Sequence, residues 1–358
     1  MVNIPPLESV DNILVLPYER PWHGGPDLNR IPLHARKRTS KRFEDTFPET
    51  PDSTQAEEMP GRYLYGGPLK YHFGHIIADA SARLYAYDPS IHQGVVFAGF
   101  MNDMRPPGLI QQIPSLFGAE WNENLVVKSP KIIETLDFAV PGMINGLGPT
   151  DWYLDLLSSK THPIYENTPK DIFYGRTHII RKGTLMGETY FSKKIVESGF
   201  VYVTPEDYAS DLYKQLSYIH NASRIVFTEG SSIHAIDLLG KVRADVFMLP
   251  RRPNGSDMFS NHIKKRTSFK ILGNEQDIIR LEGLNGTNSP SSPSYSLNPS
   301  LIMDDLVQLG LVKGCFDIKK FEDDERADAK SYWLNTDVAT EQISRVRVMR
   351  SGMGVRSN

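Results

Sequence analysis

A histidine, an aspartate and an arginine that together could support proton transfer recur at intervals of four in the first half of the chain. They are His75, Asp79 and Arg83, in a segment otherwise rich in apolar residues. On a helix this spacing places an imidazole, a carboxylate and a guanidinium along one stripe. Such a carboxylate can accept a proton from a hydroxyl, which predicts Asp79 as a general base with His75 as its positioning partner. The same spacing also fits a solvent-exposed helix face with one ion pair.

A second group of residues is typical of an anion-binding turn. The run Glu229-Gly230-Ser231-Ser232 separates a predicted strand, residues 224–228, from a predicted helix, residues 233–239. Small residues at the start of a helix leave backbone N–H groups free to bind a phosphate. His234 lies within this helix, where it would either reach the phosphate or face the sheet. Many such turns serve only as helix caps, and the sequence leaves that alternative open.

The segments around this turn predict a parallel sheet. Residues 199–203 and 224–228 are apolar runs separated by a helical pattern over residues 206–222, and a third run covers residues 244–249. Short strands without polar alternation are typical of sheets covered by helices on both faces. Arg251 and Arg252 follow the third strand, at the edge where open α/β sheets bind ligands. They would contact a diphosphate there, or form a solvated cationic loop.

Composition excludes several classes of protein. The 358 residues are 40% hydrophobic and 23% charged, as expected for a globular protein with two cores. The net charge of -3 gives no electrostatic basis for binding nucleic acid. The single cysteine, Cys315, excludes an internal disulfide, and no apolar run reaches the roughly 20 residues of a membrane span. We therefore expect a cytoplasmic protein. Its arginine-bearing tail, disordered or a short edge strand, would allow peripheral contact with the inner face of the membrane.

In their order along the chain, the two groups resemble glycosyltransferase family 61, and the chain is similar to bacterial members. His75, Asp79 and Arg83 match that family's histidine, acidic residue and arginine at intervals of four. The second half matches its strand ends, helix start and small-residue turn, at Ile179-Ile180-Arg181, Gly199-Phe200, Pro205-Glu206, Ala222 and Gly230-Ser231-Ser232. The resemblance covers roughly residues 65–250 and rests on the joint order of short motifs.

The chain departs from that family at two places. Animal and plant members have His-Gly-Ala where this chain has Glu229-Gly230-Ser231. A second basic residue that often follows the first arginine is not evident, and Lys182, Lys193 or Lys194 would take its place. Both departures concern the binding of the donor.

The resemblance implies an α/β fold of the GT-B type, with two Rossmann-like domains facing each other across a cleft. We expect residues 1–160 to form the N-terminal, acceptor-side domain and residues 172–300 the C-terminal domain that binds a nucleotide sugar. Residues 301–358 are expected to form helices and a tail that pack back on the N-terminal domain. The boundary falls in a polar stretch, residues 158–175, that contains two prolines.

The resemblance further implies an inverting glycosyltransferase with a nucleotide-sugar donor, expected to be a UDP-sugar. The acceptor would be a glycan or lipid-linked glycan in the synthesis of capsule, lipopolysaccharide or exopolysaccharide. Asp79 would be the base, His75 would position it, and Arg83 would fix the helix or bind the acceptor. The donor would be bound by Arg181, Lys182, Gly230, Ser231, Ser232 and His234, with Glu229 bonding sugar hydroxyls. No cofactor and no metal is expected, because guanidinium and N–H groups would stabilise the departing diphosphate.

Two other classes of protein remain open. A polysaccharide pyruvyltransferase resembles the same architecture and would bind the phosphoryl group of phosphoenolpyruvate at Arg181 and the Gly230 turn. A non-catalytic glycan-binding or scaffolding member would not need Asp79 at all. Binding of a uridine or cytidine nucleotide would distinguish the first alternative, and an active Asp79→Asn variant would favour the second. The sequence does not indicate an oligomeric state.

Overall fold

The chain has a mixed α/β fold built around two separate sheets. The computed structural model describes residues 4–19, 23–32, 46–49, 53–70, 72–100, 108–144, 146–160, 164–204, 211–284, 286–289 and 291–352. None of the helices in these ranges is long and apolar enough to cross a bilayer.

The first half of the chain forms a six-stranded mixed sheet in the order β2-β1-β6-β3-β4-β5. β3, β4, β5 and β6 run parallel, whereas β1 is antiparallel to both of its neighbours. A short hairpin, β7–β8, follows this sheet. The strands are β1 (Glu8–Glu19), β2 (His23–Pro26), β3 (Glu57–Leu69), β4 (Val95–Gly99), β5 (Val126–Val127), β6 (Lys131–Phe138), β7 (Met143–Ile144) and β8 (Gly148–Pro149).

The second half forms a five-stranded sheet that is parallel throughout, in the order β10-β9-β11-β12-β13. Numbered within this sheet, the order is 2-1-3-4-5, which is that of flavodoxin-like doubly wound folds. A two-stranded antiparallel ribbon, β14–β15, follows this sheet in the sequence. The strands are β9 (Asp171–Tyr174), β10 (Val201–Val203), β11 (Arg224–Thr228), β12 (Asp245–Leu249), β13 (Phe269–Ile271), β14 (Ile278–Arg280) and β15 (Ser294–Ser296).

The helices include one composite segment, α1, made of an α-helical turn (Phe73–His75), a π-helical turn (Ile76–Ala80) and a 3-10 turn (Ser81–Ala86). The others are α2 (Gly108–Gln111), α3 (Asp151–Ser159), α4 (Glu188–Glu197), α5 (Leu212–Asn221), the 3-10 helix α6 (Ser231–Leu238), α7 (Ser260–Lys264), α8 (Pro299–Gln308), α9 (Ile318–Trp333) and α10 (Thr336–Gly352). Short 3-10 turns cover Pro114–Phe117, Glu123–Leu125, Thr177–Ile179, Gly255–Met258 and Glu275–Asp277.

One hydrophobic core is shared by the two halves of the chain. Ile76, Ile77 and Ala80 of α1 belong to the same buried cluster as Ile233 and Ile236 of α6. All residues of α1 from 76 to 85 are buried, and the segment packs against both the mixed sheet and α6. The two sheets are therefore joined through packed helices at this point.

The last three helices pack on the half with the parallel sheet rather than on the first half. Ile302 and Leu306 of α8 share a buried cluster with Phe173 of β9, and α9 packs along α4. The Asp328 carboxylate of α9 accepts hydrogen bonds from Gly187 N and from the Thr189 hydroxyl at the start of α4. These contacts replace the packing on the first half that the sequence led us to expect.

The prediction that the tail is disordered or an edge strand is wrong as far as residue 352, because α10 is held by a buried ion pair. Arg350 Nη1 and Nη2 donate to the two carboxylate oxygens of Glu325 at 2.8 and 2.6 Å. Val346 is buried beside them. Glu325 is buried, whereas the acidic residues 322–324 before it are accessible. The expected helix start at Pro205-Glu206 lies outside the described residues.

Candidate active site

His75 and Asp79 form a hydrogen-bonded pair in α1. His75 Nδ1 lies 3.0 Å from Asp79 Oδ2, and Asp79 is in the π-helical turn. Single π-helical turns inside helices are frequent at functional sites. The two side chains differ in exposure, which is 36% for His75 and 6% for Asp79. The imidazole is therefore accessible to solvent, whereas the carboxylate that is hydrogen-bonded to it is buried.

Arg83, the third residue of the stripe, is directed into the fold. It is 2% exposed, and its Nη1 donates to the backbone carbonyl of Asp79 at 3.1 Å. A Cβ added at Gly67 would lie 3.3 Å from Arg83 Nη1, and Gly67 has a φ of +106°. This placement fits the fixing of the helix, the first of the two roles expected for Arg83.

The segment α1, which carries the predicted catalytic residues, meets the predicted anion-binding turn at Gly74. A Cβ added there would lie 3.0 Å from His234 Cδ2, 3.2 Å from Ser231 Cβ and 3.6 Å from His72 Cε1. A glycine at this position therefore allows α1 to approach the first turn of α6 closely. The structure thus brings the histidines of the first half against the turn of the second half.

The turn itself lies at the topological switch point of the parallel sheet. β9 and β11 are neighbours, and the chain leaves them in opposite directions, toward β10 on one side and β12 on the other. Ligands of open α/β sheets bind in the crevice at the carboxyl ends of such strands. Here the ends carry Arg176 after β9 and Gly230 after β11.

Arg176 lies directly against Gly230. A Cβ added at Gly230 would be 2.6 Å from Arg176 Nη1, so the guanidinium occupies the space that a side chain would fill. Arg176 Nη2 also donates to the carbonyl of Lys182 at 3.1 Å. The guanidinium is thereby fixed beside the start of α6, whose first N–H groups are unpaired within the helix.

Three further guanidinium groups lie close to this edge of the sheet. Burial and nearby arginines together lower the pKa of Arg251 to about 9, although Glu229 opposes the shift. The nearby arginines are Arg176, Arg252 and Arg280. Even at a pKa of about 9, Arg251 is charged at neutral pH. Four positive groups gathered at a ligand-binding edge favour a dianion or a larger anion.

Glu229 is buried at the end of β11 and holds the neighbouring turn. It is fully buried, and its Oε2 accepts hydrogen bonds from the backbone N–H groups of Arg251 and Arg252 at 2.8 and 3.0 Å. Its Oε1 is paired with Arg252 Nε. A Cβ added at Gly255 would overlap this carboxylate. Glu229 therefore clamps the turn after β12, and its bonding of ribose or sugar hydroxyls stays a prediction.

Lys182 and Arg181 lie on an exposed turn after the 3-10 turn Thr177–Ile179. The charge of Lys182 acts on His72, together with those of His75, His234 and Lys70. Burial and these neighbours lower the pKa of His72 to about 4, so this imidazole is neutral at pH 7. Lys182 therefore lies near the histidines, as expected for a donor-binding residue, whereas no contact places Arg181 there.

Glu188 is a buried acid behind Arg176. Its Oε1 accepts hydrogen bonds from Arg176 N at 2.5 Å and from the Thr228 hydroxyl at 2.8 Å, and no residue of the described part of the chain bonds its Oε2. Burial raises the pKa of Glu188 to about 7, although these hydrogen bonds oppose the effect. The carboxyl group therefore joins the ends of β9 and β11 and is ionised only in part near neutral pH.

Glu188→Gln is expected to flatten the pH dependence of stability. Because the pKa of Glu188 is raised from 4.5 to about 7 on folding, the wild-type protein loses stability as pH rises through this interval. The loss is about 3 kcal/mol by pH 8, and glutamine removes it. Urea unfolding of both proteins at pH 5 and pH 8 measures how the free energy of unfolding of each changes with pH. Parallel pH dependences for both proteins would contradict a buried, titrating Glu188.

His234 is not exposed on the surface of α6 but belongs to a buried network. Its Nδ1 lies 2.9 Å from Asp237 Oδ2, and His262 Nδ1 lies 3.1 Å from Asp237 Oδ1. Arg266 Nη1 is 3.4 Å from the same carboxylate. Asp237 thus orients His234 toward Gly74 and α1.

Sequence analysis missed several residues of this site, namely Arg176, Glu188, Asp237, His262 and Arg280. Asp237 follows His234 by three residues, and this spacing aligns side chains on a 3-10 helix, which has 3.0 residues per turn. Because the sequence predicted an α-helix here, the spacing of three residues did not indicate this contact. The others come from separate elements, so only the order of the strands brings them together.

Comparison with protein-family models gives no match for this chain, and no curated protein matches it significantly. Within the described ranges, no group of three or more His, Cys, Asp or Glu side chains is arranged to hold a metal ion. The functional assignment therefore depends on the geometry of the site.

Proposed function

We propose that the protein is an inverting glycosyltransferase that moves a sugar from a nucleotide-sugar donor to a hydroxyl of a glycan acceptor. One observation carries the proposal. The segment α1, which carries the His75–Asp79 pair, packs on α6 at the switch point of the parallel sheet, with its closest approach at Gly74. A proton-accepting pair and an anion-binding edge are the two parts that displacement of a diphosphate requires.

In this proposal the diphosphate of the donor lies between Arg176 and the N–H groups of Ser231 and Ser232. Arg251 and Arg252 stand at the carboxyl end of the neighbouring strand β12 and add positive charge. A guanidinium group can donate two parallel hydrogen bonds to the oxygens of one phosphate. Fixed N–H dipoles stabilise the charge that develops on the leaving group. The main cationic partner is therefore Arg176 rather than Arg181. A UDP-sugar is the donor proposed.

The acceptor hydroxyl is activated by the His75–Asp79 pair. Its oxygen attacks the anomeric carbon, the bond from that carbon to the diphosphate oxygen breaks, and the bonding electrons leave with the diphosphate. The acceptor proton passes to the exposed imidazole of His75, while the buried Asp79 holds the ring through Nδ1. This division of roles places the proton on His75, where the sequence had suggested Asp79. The acceptor is a glycan or a lipid-linked glycan, and a GT-B arrangement of the two halves is part of this proposal.

Transfer of a pyruvyl group is a second candidate. Arg251 and the three guanidinium groups near it would bind the phosphoryl and carboxylate groups of phosphoenolpyruvate without a nucleoside pocket. This alternative differs from the first in its ligand and can be separated from it by binding alone.

A thermal-shift screen tests the proposal, with UDP, GDP, CMP, UDP-sugars and phosphoenolpyruvate as ligands, each with and without magnesium. A ligand that binds the native state at 100 times its Kd stabilises it by about 2.7 kcal/mol, which raises Tm by several degrees. We expect one nucleotide and its sugar derivative to do so. Stabilisation by phosphoenolpyruvate alone would favour pyruvyl transfer, and no response from any ligand would contradict both enzymatic functions.

A further inference from the structure

The protonation of the buried network around Asp237 follows from its hydrogen bonds. The N–H of Gly146, in the β7–β8 hairpin, donates to His262 Nε2 at 2.8 Å. His262 Nε2 therefore carries a lone pair, and the proton of the neutral ring is on Nδ1, which donates to Asp237 Oδ1 at 3.1 Å. His262 is thus a neutral donor fixed from both sides.

Asp237 is the anion at the centre of this network. Burial alone would raise its pKa, but His262, His234 and Arg266 together hold the pKa well below its usual range. The ionised carboxylate accepts from His234 Nδ1 at 2.9 Å through its second oxygen. His234 Nδ1 consequently carries a proton in every charge state, and any change of protonation occurs at Nε2.

His234 Nε2 belongs to the part of the ring that meets the site. Its neighbour in the ring, Cδ2, is the atom that approaches Gly74, with His72 and Ser231 around the same point. No residue of the described ranges donates a hydrogen bond to Nε2 or accepts one from it. Ser231 lies three residues earlier, one turn of the 3-10 helix, at the proposed position of the diphosphate.

The charged and titratable groups that face His234 come from each element packed around it. Asp237 supplies one negative charge from α6 and Arg266 one positive charge from beyond α7, while His262 is neutral by its tautomer. His72, before α1, is neutral at pH 7 because its pKa is about 4. Lys182, on the turn after β9, acts on His72. A bound diphosphate would add two or more negative charges and favour an imidazolium at His234.

Resting on the function proposed above, we propose that His234 takes up a proton when a diphosphate binds at the start of α6. The resulting imidazolium, held by Asp237, donates its Nε2 proton as a hydrogen bond to the phosphate oxygen that becomes the leaving group. As the bond from the anomeric carbon to that oxygen breaks, its electron pair stays on the oxygen. The proton returns to solvent when the diphosphate is released. The acceptor proton goes separately to His75, so the two histidine–aspartate pairs serve the two ends of the reaction.

Calorimetric titration of the protein with inorganic pyrophosphate tests this proposal. The titration is carried out at pH 7.5 in two buffers of different ionisation enthalpy, which gives the number of protons exchanged on binding. The ionisation of pyrophosphate itself contributes equally to every variant, so the difference between wild type and His234→Gln reports on His234. We expect the wild type to take up about one proton more than the variant.

Two further variants keep the result interpretable. Asp237→Asn retains His234 but removes the carboxylate that stabilises its cation, so the uptake should again be reduced. His72→Gln removes a neighbouring imidazole that stays neutral, so it should retain the wild-type uptake. Equal uptake in wild type and His234→Gln, or loss of uptake in His72→Gln, would overturn the proposal and leave the proposed function standing. Absence of pyrophosphate binding to the wild type would overturn both.

Discussion

Asp79→Asn is expected to lower kcat by about 10²–10⁴-fold and to leave donor affinity near that of the wild type. The substitution keeps the shape of the side chain but removes the charge that holds His75 Nδ1 at 3.0 Å. Without it the imidazole loses both its orientation and the stabilisation of its protonated form. Release of nucleotide diphosphate in the presence of acceptor measures kcat, and equilibrium titration measures the affinity.

A histidine–aspartate pair outside the proposed site provides a control for this experiment. His92 Nε2 lies 2.9 Å from Asp137 Oδ2, and both side chains are buried in the half with the mixed sheet. His92→Gln should therefore reduce stability without a comparable loss of kcat. An Asp79→Asn variant that kept most of its turnover would remove the His75–Asp79 pair from the mechanism.

Glu229→Ala is expected to destabilise the fold by about 3–5 kcal/mol, because removal of one partner from a buried ion pair leaves the other uncompensated. Here Arg252 loses its carboxylate partner, and two backbone N–H groups lose their acceptor. Urea denaturation measures the loss. Asp323→Ala, which removes an exposed partner of Arg326, should cost at most about 1 kcal/mol.

The same variant separates the two roles considered for Glu229. If this carboxylate bonded sugar hydroxyls, alanine would weaken donor binding and change stability little. If the carboxylate instead holds the turn around Arg251 and Gly255, alanine should lower stability strongly and donor affinity little. A stable variant with lowered donor affinity would support the interpretation based on the sequence.

Local patterns predicted the strands of the second half well. The expected strands 224–228 and 244–249 correspond to Arg224–Thr228 and Asp245–Leu249. They were predictable because a short apolar run between turn residues indicates a buried strand. The spacing of His75 and Asp79 likewise predicted their contact, since residues four apart meet on a helix. These features depend on neighbours in sequence.

Features that depend on distant contacts were not predictable in this way. Arg176 meets Gly230 only because β9 and β11 are adjacent, and the order of strands cannot be derived from any single segment. The helix α10 depends on the buried pair of Arg350 and Glu325, which local propensity does not record. The role of Glu229 required knowledge of the turn after β12 that it clamps.

The central claim is that a nucleotide diphosphate binds at the carboxyl ends of β9 and β11. Titration of UDP into wild type, Arg176→Gln and Arg224→Gln tests it most directly. Arg224 lies at the opposite end of β11, where it pairs with Asp171, so its replacement perturbs the same sheet without touching the proposed site. We predict that Arg176→Gln weakens binding by about 10–100-fold, the value of a charge-assisted hydrogen bond, while Arg224→Gln binds as the wild type does. Equal affinity in all three proteins, or an equal loss in both variants, would contradict the account.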